Sequence, residues 1–109
     1  MSDFSETLER LARTIAERRR ADPGASYTAQ LLADSPRAAK KLAEEAVETA
    51  LAAVSGTPDQ IAAESADLIY HWLVLLAATG VDLDAVAAKL KAREGTSGLE
   101  EKASRRPGV

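Results

Sequence analysis

Phe4, Leu8, Leu11 and Ile15 recur at spacings of four, three and four, which is the repeat of one helical face. Glu6, Glu9, Arg10, Arg13 and Glu17 fall mostly elsewhere around that helix. The pattern predicts a first helix that fades over 20–22, because Pro23-Gly24 breaks helices. Residues 27–33 read as a small helix or single turn. Ser35-Pro36 is a capping residue followed by proline at the first helical position, so a second long helix is predicted over 36–55, ended by Gly56. Thr57-Pro58 repeats that signal and predicts a third helix over 58–79, closed by Gly80. Asp82 caps a fourth, with Val86 and Leu90 on its inner face and Gly95 at its end. No segment alternates long enough to predict a strand. The chain therefore divides into an all-α domain, 1–95, and a C-terminal tail, 96–109, in which 99–104 reads as a short helical turn.

The third helix carries a further message. Leu68, Ile69, Tyr70, Trp72, Leu73, Val74, Leu75, Leu76, Ala77 and Ala78 leave it no polar face. A helix apolar all round must be covered all round. Three other short helices from one chain supply too little cover, which predicts a homodimer with this helix near the shared bundle core. Trp72 is expected in the core or the dimer interface. His71, alone on this apolar helix, is expected to be a core residue making one hydrogen bond, with Asp67 as its partner.

Composition narrows the chemistry. The 109 residues include 23 Ala and 13 Leu but one Phe, one Trp and two Tyr, which suits close helix packing better than a sheet. A lone chain of this size buries about two-thirds of its unfolded surface, so a partner subunit is consistent with length too. The absence of Cys excludes disulfides, thiolate zinc sites and a thiol nucleophile, and a single His excludes a multi-His metal centre. A net charge of -3 argues against nucleic-acid binding, which calls for a basic balance. The longest apolar stretch, 68–79, is interrupted by His71 and falls short of the about 20 residues of a membrane span. Residues 1–20 carry Glu6, Glu9, Arg10, Arg13 and Glu17 and so hold no apolar signal core. A soluble, cytoplasmic protein without membrane contact is expected.

The acidic residues are unevenly placed. Glu44, Glu45 and Glu48 lie on the second helix, Glu64 and Asp67 on the third. Residues three or four apart on a helix are surface neighbours. The connection lies about seven residues past Glu48 and six before Glu64, so a short antiparallel hairpin brings both groups to one height. Without these five residues the chain holds 12 acidic against 14 basic residues. Carboxylates gathered this way repel one another unless a hard divalent cation lies between them, and oxygen-only ligands select Mg²⁺, Mn²⁺ or Ca²⁺. Mg²⁺ keeps positions for water and phosphate oxygens, which suits phosphate chemistry; Mn²⁺ is the alternative. The bland reading is a solvated acidic face, with Lys40–Glu44 and Lys41–Glu45 as ordinary i,i+4 pairs.

The E-E-x-x-E and E-x-x-D motifs on two helices resemble the all-α MazG-like nucleoside triphosphate pyrophosphohydrolases. Three other segments resemble one branch of them, the phosphoribosyl-ATP pyrophosphatases of histidine biosynthesis. These are Ser26-Tyr27-Thr28-Ala29-Gln30-Leu31-Leu32, Lys40-Lys41 ahead of Glu44-Glu45, and Ser97-Gly98-Leu99-Glu100-Glu101-Lys102-Ala103-Ser104-Arg105; Ala66-Asp67-Leu68-Ile69-Tyr70-His71 extends the match. The family often has glycine where Ala43 stands and a basic residue where Gln30 stands. With no Cys and this length, the chain resembles the stand-alone form and not a fusion to the cyclohydrolase that acts next.

The resemblance implies a four- to five-helix MazG-like bundle completed by homodimerisation. It implies hydrolysis of phosphoribosyl-ATP to phosphoribosyl-AMP and pyrophosphate by Mg²⁺-activated water. Glu45, Glu48, Glu64 and Asp67 would be metal ligands, Glu48 also the general base, and Glu44 an accessory ligand or water-positioning group. Lys41, Lys40, Ser26, Tyr27, Thr28, Lys102 and Arg105 would contact the substrate. Two alternatives are a house-cleaning nucleoside triphosphate pyrophosphohydrolase of the same fold and a non-catalytic helical dimerisation module.

Overall fold

The computed structural model describes residues 3–95 together with Gly98, Lys102, Ala103 and Arg105. Five α-helices, and no strand among the described residues, make up the fold. They are α1 (Asp3–Glu17), α2 (Tyr27–Leu32), α3 (Ser35–Ser55), α4 (Pro58–Thr79) and α5 (Leu83–Arg93), with a 3₁₀ turn at Arg18–Arg20 after α1.

The helix ends follow local chemistry. Ser26 caps α2, its hydroxyl accepting from the Ala29 amide. The α3 cap is Asp34, one residue earlier than expected: its carboxylate accepts from the Arg37 amide at 3.1 Å, and Ser35 becomes the first helical residue. Asp and Ser cap about equally well, and Asp34 has the non-helical backbone of a cap, at φ -143° and ψ 78°. At α4, Thr57 and Gln60 form a reciprocal capping box, and Gly80 ends the helix in the left-handed region at φ 75°. Gly56, between α3 and α4, leaves no room for a side chain. A Cβ there would lie 2.8 Å from both the Ala52 carbonyl oxygen and Gln60 Oε1. The tight connection makes α3 and α4 antiparallel neighbours, and they share the largest helix–helix interface of the fold.

The core sits at one end of this hairpin. Ile15 from α1, Leu31 and Leu32 from α2, Ala38 from the start of α3, and Leu73 and Val74 from α4 form its buried centre. Leu8 and Leu11 pack against it, but Phe4, the first residue of the α1 stripe, is exposed because α1 runs past the end of its support. Leu83 reaches the core from α5, whereas Leu90, expected to face inward, is exposed. Trp72 packs on the core and is half-buried. Among the tail positions, Lys102 and Ala103 are helical; Leu99, Glu100, Glu101 and Ser104 lie outside the described residues.

The other half of the hairpin has no cover. Val47, Leu51 and Val54 follow one face of α3 and are 58%, 61% and 87% exposed. The uncovered apolar surface is thus concentrated on α3, not only on the apolar run of α4, most of which is half-buried by the fold itself.

Candidate active site

The α3–α4 hairpin brings the carboxylates together. Glu45, Glu48 and Glu64 each place a carboxylate oxygen within 4.8 Å of the other two. Asp67, one turn beyond Glu64, stands just outside that group but still acts on Glu45 and Glu64 through its charge. Thr49, which sequence reasoning passed over, sets the level of the two helices. Its hydroxyl lies 2.8 Å from the Glu45 carbonyl and 3.1 Å from the Glu64 carbonyl on the facing helix. A threonine one turn from an acidic motif was the available signal. Replacing it with valine removes a part-buried hydrogen bond at little change of shape. We expect a loss of about 1 kcal/mol, or several degrees in Tm by calorimetry, and weaker divalent-ion binding as the two carboxylate sets lose register.

Crowding marks these acids. Burial raises the Glu45 carboxyl above its ordinary 4.5, and the neighbouring Glu48 carboxyl and Asp67 raise it further. Burial, then Glu48 and Asp67, also raise Glu64. Glu45 Oε2 is buried and has no hydrogen-bond partner. Three carboxylates that bring an oxygen each within 4.8 Å of one another fit a hard cation: the ligand atoms are all oxygen, and a cation supplies the positive charge the site lacks. Glu44 behaves differently. Its carboxylate pairs with Lys41 at 3.1 Å, and this contact holds Glu44 below its ordinary range and raises Lys41. The expected i,i+4 partner of Lys41, Glu45, instead turns inward to the cluster. Lys40 is exposed and acts on Glu44 only through its charge.

Two open grooves meet at Glu48. One of about 450 Å³ runs from Glu48 and Glu64 to the α3–α4 connection, over Leu51, Ser55 and Gln60. A shallower one of about 570 Å³ lies over Ala43, Glu44, Val47 and Glu48. Ala43 therefore adds a methyl group to a groove wall.

The α2 segment docks beside α4. Thr28 Oγ1 hydrogen-bonds the Tyr70 hydroxyl. The Tyr27 ring meets His71 edge-on at 6.3 Å, lies 5.8 Å below the Arg37 guanidinium, and is close enough to Lys41 to act on its charge. Ser26 and Thr28 thus spend their hydroxyls within the fold, while Tyr27 is exposed on the side of Lys41. Gln30 is also engaged: its amide donates to the Pro23 carbonyl at 2.9 Å and accepts from Arg37. His71 is buried, and its Nδ1 lies 2.9 Å from the Asp67 main-chain carbonyl, so the partner is the backbone and not the carboxylate of Asp67. Lys102 and Arg105 are exposed and share one turn, the Arg105 amide donating to the Lys102 carbonyl at 3.2 Å.

Residues 8–94 match the sequence profile of the family described as phosphoribosyl-ATP pyrophosphohydrolase. The chain belongs to the phosphoribosyl-ATP pyrophosphohydrolase family. Curated relatives agree over nearly the whole length. A phosphoribosyl-ATP pyrophosphatase of Caulobacter sp. (strain K31) is 67% identical over 96% of this chain and 98% of its own. One from Caulobacter vibrioides (strain NA1000 / CB15N) is 65% identical over 94% and 95%. One from Parvibaculum lavamentivorans is 56% identical over 96% and 97%. The hairpin that carries the carboxylates falls inside the family match, and so does the α2 segment with Tyr27 and Thr28.

Proposed function

We propose that this member of the pyrophosphohydrolase family hydrolyses phosphoribosyl-ATP to phosphoribosyl-AMP and pyrophosphate, the step that the family resemblance assigns to histidine biosynthesis. The observation that carries the reading is the convergence of Glu45, Glu48 and Glu64 within 4.8 Å, in a chain two-thirds identical to a protein named for this activity. Glu45, Glu48, Glu64 and Asp67 would hold Mg²⁺, or Mn²⁺ in its place. When bound, the ion neutralises triphosphate oxygens and lowers the pKa of water.

The chain's own residues do the rest. Glu48, exposed where the two grooves meet, accepts the proton of the attacking water on its carboxylate. One anhydride P–O bond breaks and one water is consumed. Lys41, with Lys40 behind it, binds phosphate oxygens. Glu44 keeps the Lys41 ammonium charged and aimed, and orients water from the second groove. Tyr27 offers a hydroxyl beside Lys41; Ser26 and Thr28 hold it in place by fixing α2. Lys102 and Arg105 in the 96–109 tail neutralise phosphate charge from outside the 1–95 domain. A chain truncated after Gly95 is expected to lose about tenfold or more in kcat/KM while melting at the same temperature, since each lost phosphate contact removes a charge-assisted hydrogen bond. Full activity of the truncated chain would remove the tail from the site.

The enzyme is a cytoplasmic homodimer in this reading, acting on a small molecule and not on nucleic acid or membrane. Exposure of Val47, Leu51 and Val54 supports the dimer. Burying each such side chain contributes about 1.5–3 kcal/mol, counted twice across a two-fold axis. The double variant Leu51→Asp/Val54→Asp should sediment as a monomer at micromolar concentration, where the parent chain sediments as a dimer. The assay that tests the function is pyrophosphate release from phosphoribosyl-ATP against a panel of nucleoside triphosphates, with and without Mg²⁺. Equal rates on the whole panel would favour the house-cleaning alternative.

A further inference from the structure

Among the described residues, two buried side-chain polar atoms have no hydrogen-bond partner: Glu45 Oε2 and His71 Nε2. They lie on facing helices. The Thr49 hydroxyl reaches the Glu64 carbonyl, so antiparallel partners at one height have numbers that add to about 113. Glu45 is level with Leu68, and His71 lies three residues, about 4.5 Å, further along α4. Helical side chains lean toward their own N-terminus. Glu45 therefore leans toward the level of His71, and His71 leans back toward Asp67, as its 2.9 Å contact with the Asp67 carbonyl records. The two side chains converge.

The tautomer follows from the same contact. A main-chain carbonyl only accepts, so Nδ1 carries the proton, and in the neutral ring Nε2 is left with a lone pair and no hydrogen. The Glu45 carboxylate is likewise an acceptor. With the ring neutral, two buried acceptors that lean to one level of the hairpin need a donor, and a water molecule with two O–H bonds is the smallest that serves both. The Tyr27 and Tyr70 rings stand nearly perpendicular to the His71 ring, with centroids 6.3 and 4.9 Å from it. His71 is near enough to Glu44 and Glu45 for a charged ring to lower both carboxyls.

We propose that His71 is a positioning residue for Glu45, acting through one ordered water that donates to His71 Nε2 and to Glu45 Oε2 and so fixes which carboxylate oxygen turns toward Glu48 and Glu64. The inference rests on Glu45 being a metal ligand; the tautomer and the water do not. Groups that orient metal ligands are worth about 10–100-fold in metal affinity.

His71 is the only histidine of the chain, so its imidazole ¹⁵N resonances report on it alone. In metal-free protein with a neutral ring, we expect the Nδ1–H tautomer, with Nε2 unprotonated and accepting a hydrogen bond. Glu45→Ala should move the Nε2 resonance. His71→Asn keeps a donor for the Asp67 carbonyl and deletes the Nε2 acceptor; Mn²⁺ affinity measured by calorimetry should fall about tenfold or more. His71→Gln, with an amide oxygen near the Nε2 position, should recover most of it. An Nε2–H tautomer, an Nε2 resonance unmoved by Glu45→Ala, or unchanged Mn²⁺ affinity in His71→Asn would each overturn the proposal. A parent chain that binds no Mn²⁺ would instead overturn the metal reading, while the spectra still decide on the water. If His71→Asn does not fold, the spectra of the parent chain and Glu45→Ala decide alone.

Discussion

Replacing Glu48 with glutamine is expected to lower kcat for pyrophosphate release by about 10²–10⁴-fold, the range assigned to a lost general base. Glu48 is the carboxylate with a claim on every part of the site. It acts on Glu45 along its own helix and on Glu64 across the hairpin, and it lines both grooves. Glutamine has the same shape but can neither take a proton from water nor contribute the negative charge. The fold should not suffer, because Glu48 is exposed and the groups it acts on, Glu45 and Glu64, carry like charge. Removing its charge relieves repulsion on Glu45 and Glu64, so the metal-free variant should melt at or above the temperature of the parent chain. Activity and stability thus move in opposite directions, which separates a functional loss from an unfolding loss. Near-normal turnover of Glu48→Gln at saturating Mg²⁺ would eliminate Glu48 as base and as ligand together.

The second large effect is a stability that depends on metal and pH in an unusual sense. Glu45 and Glu64 both titrate above their ordinary 4.5 in the folded chain, chiefly through burial and then through their acidic neighbours. A carboxyl raised in the folded state binds its proton more tightly folded than unfolded. Its contribution therefore favours the fold at low pH and is lost as pH rises from the unfolded value through the raised one. Most paired carboxylates do the reverse. In the presence of chelator, Tm should decline over that interval. Mg²⁺ or Mn²⁺ at a hundred times its dissociation constant should restore it, adding about 2.7 kcal/mol, or on the order of 10 °C for a chain of this size. The same protons compete with the metal, so metal affinity should weaken on acidification through the same interval. Identical melting curves with chelator and with either ion would leave the acidic hairpin as a solvated face, which is the dimerisation-module alternative.

Sequence and structure agree best where the physics is local. Gly56 and Gly80 are where α3 and α4 end, because a turn or a cap is decided by a few neighbouring residues, whereas α1 stops at Glu17 and tightens into the 3₁₀ turn at Arg18–Arg20, ahead of the break expected over 20–22. The shift from Ser35 to Asp34 at the start of α3 is one residue, between two side chains with nearly the same capping strength. Phe4 and Leu90 show where periodicity stops being informative. Both lie on an apolar stripe, and both are exposed, since a stripe says which face is apolar and not how far along it a neighbour extends. Lys41 makes the same point for charge: Glu44 and Glu45 are both within reach on the helix, and the choice of Glu44 depends on Glu45 being drawn into the hairpin.

By itself, the sequence determined an all-helical chain, an α3–α4 hairpin with its acids at matching heights, and a family resemblance carried by short motifs. Each of these depends on spacing along the chain, and spacing translates directly into position along a helix axis. Only the tertiary structure decided which three carboxylates meet, that Thr49 ties the two helices at their level, that His71 is held by a backbone carbonyl with its other nitrogen buried and unpartnered, and that the bare apolar surface lies on α3. The physical reason is rotation. Successive residues turn by about 100° around a helix, and the angle at which α4 presents its side chains is set by the packing of Leu73 and Val74 against Ile15 and Leu31, residues of α1 and α2 that are distant in sequence from the carboxylates.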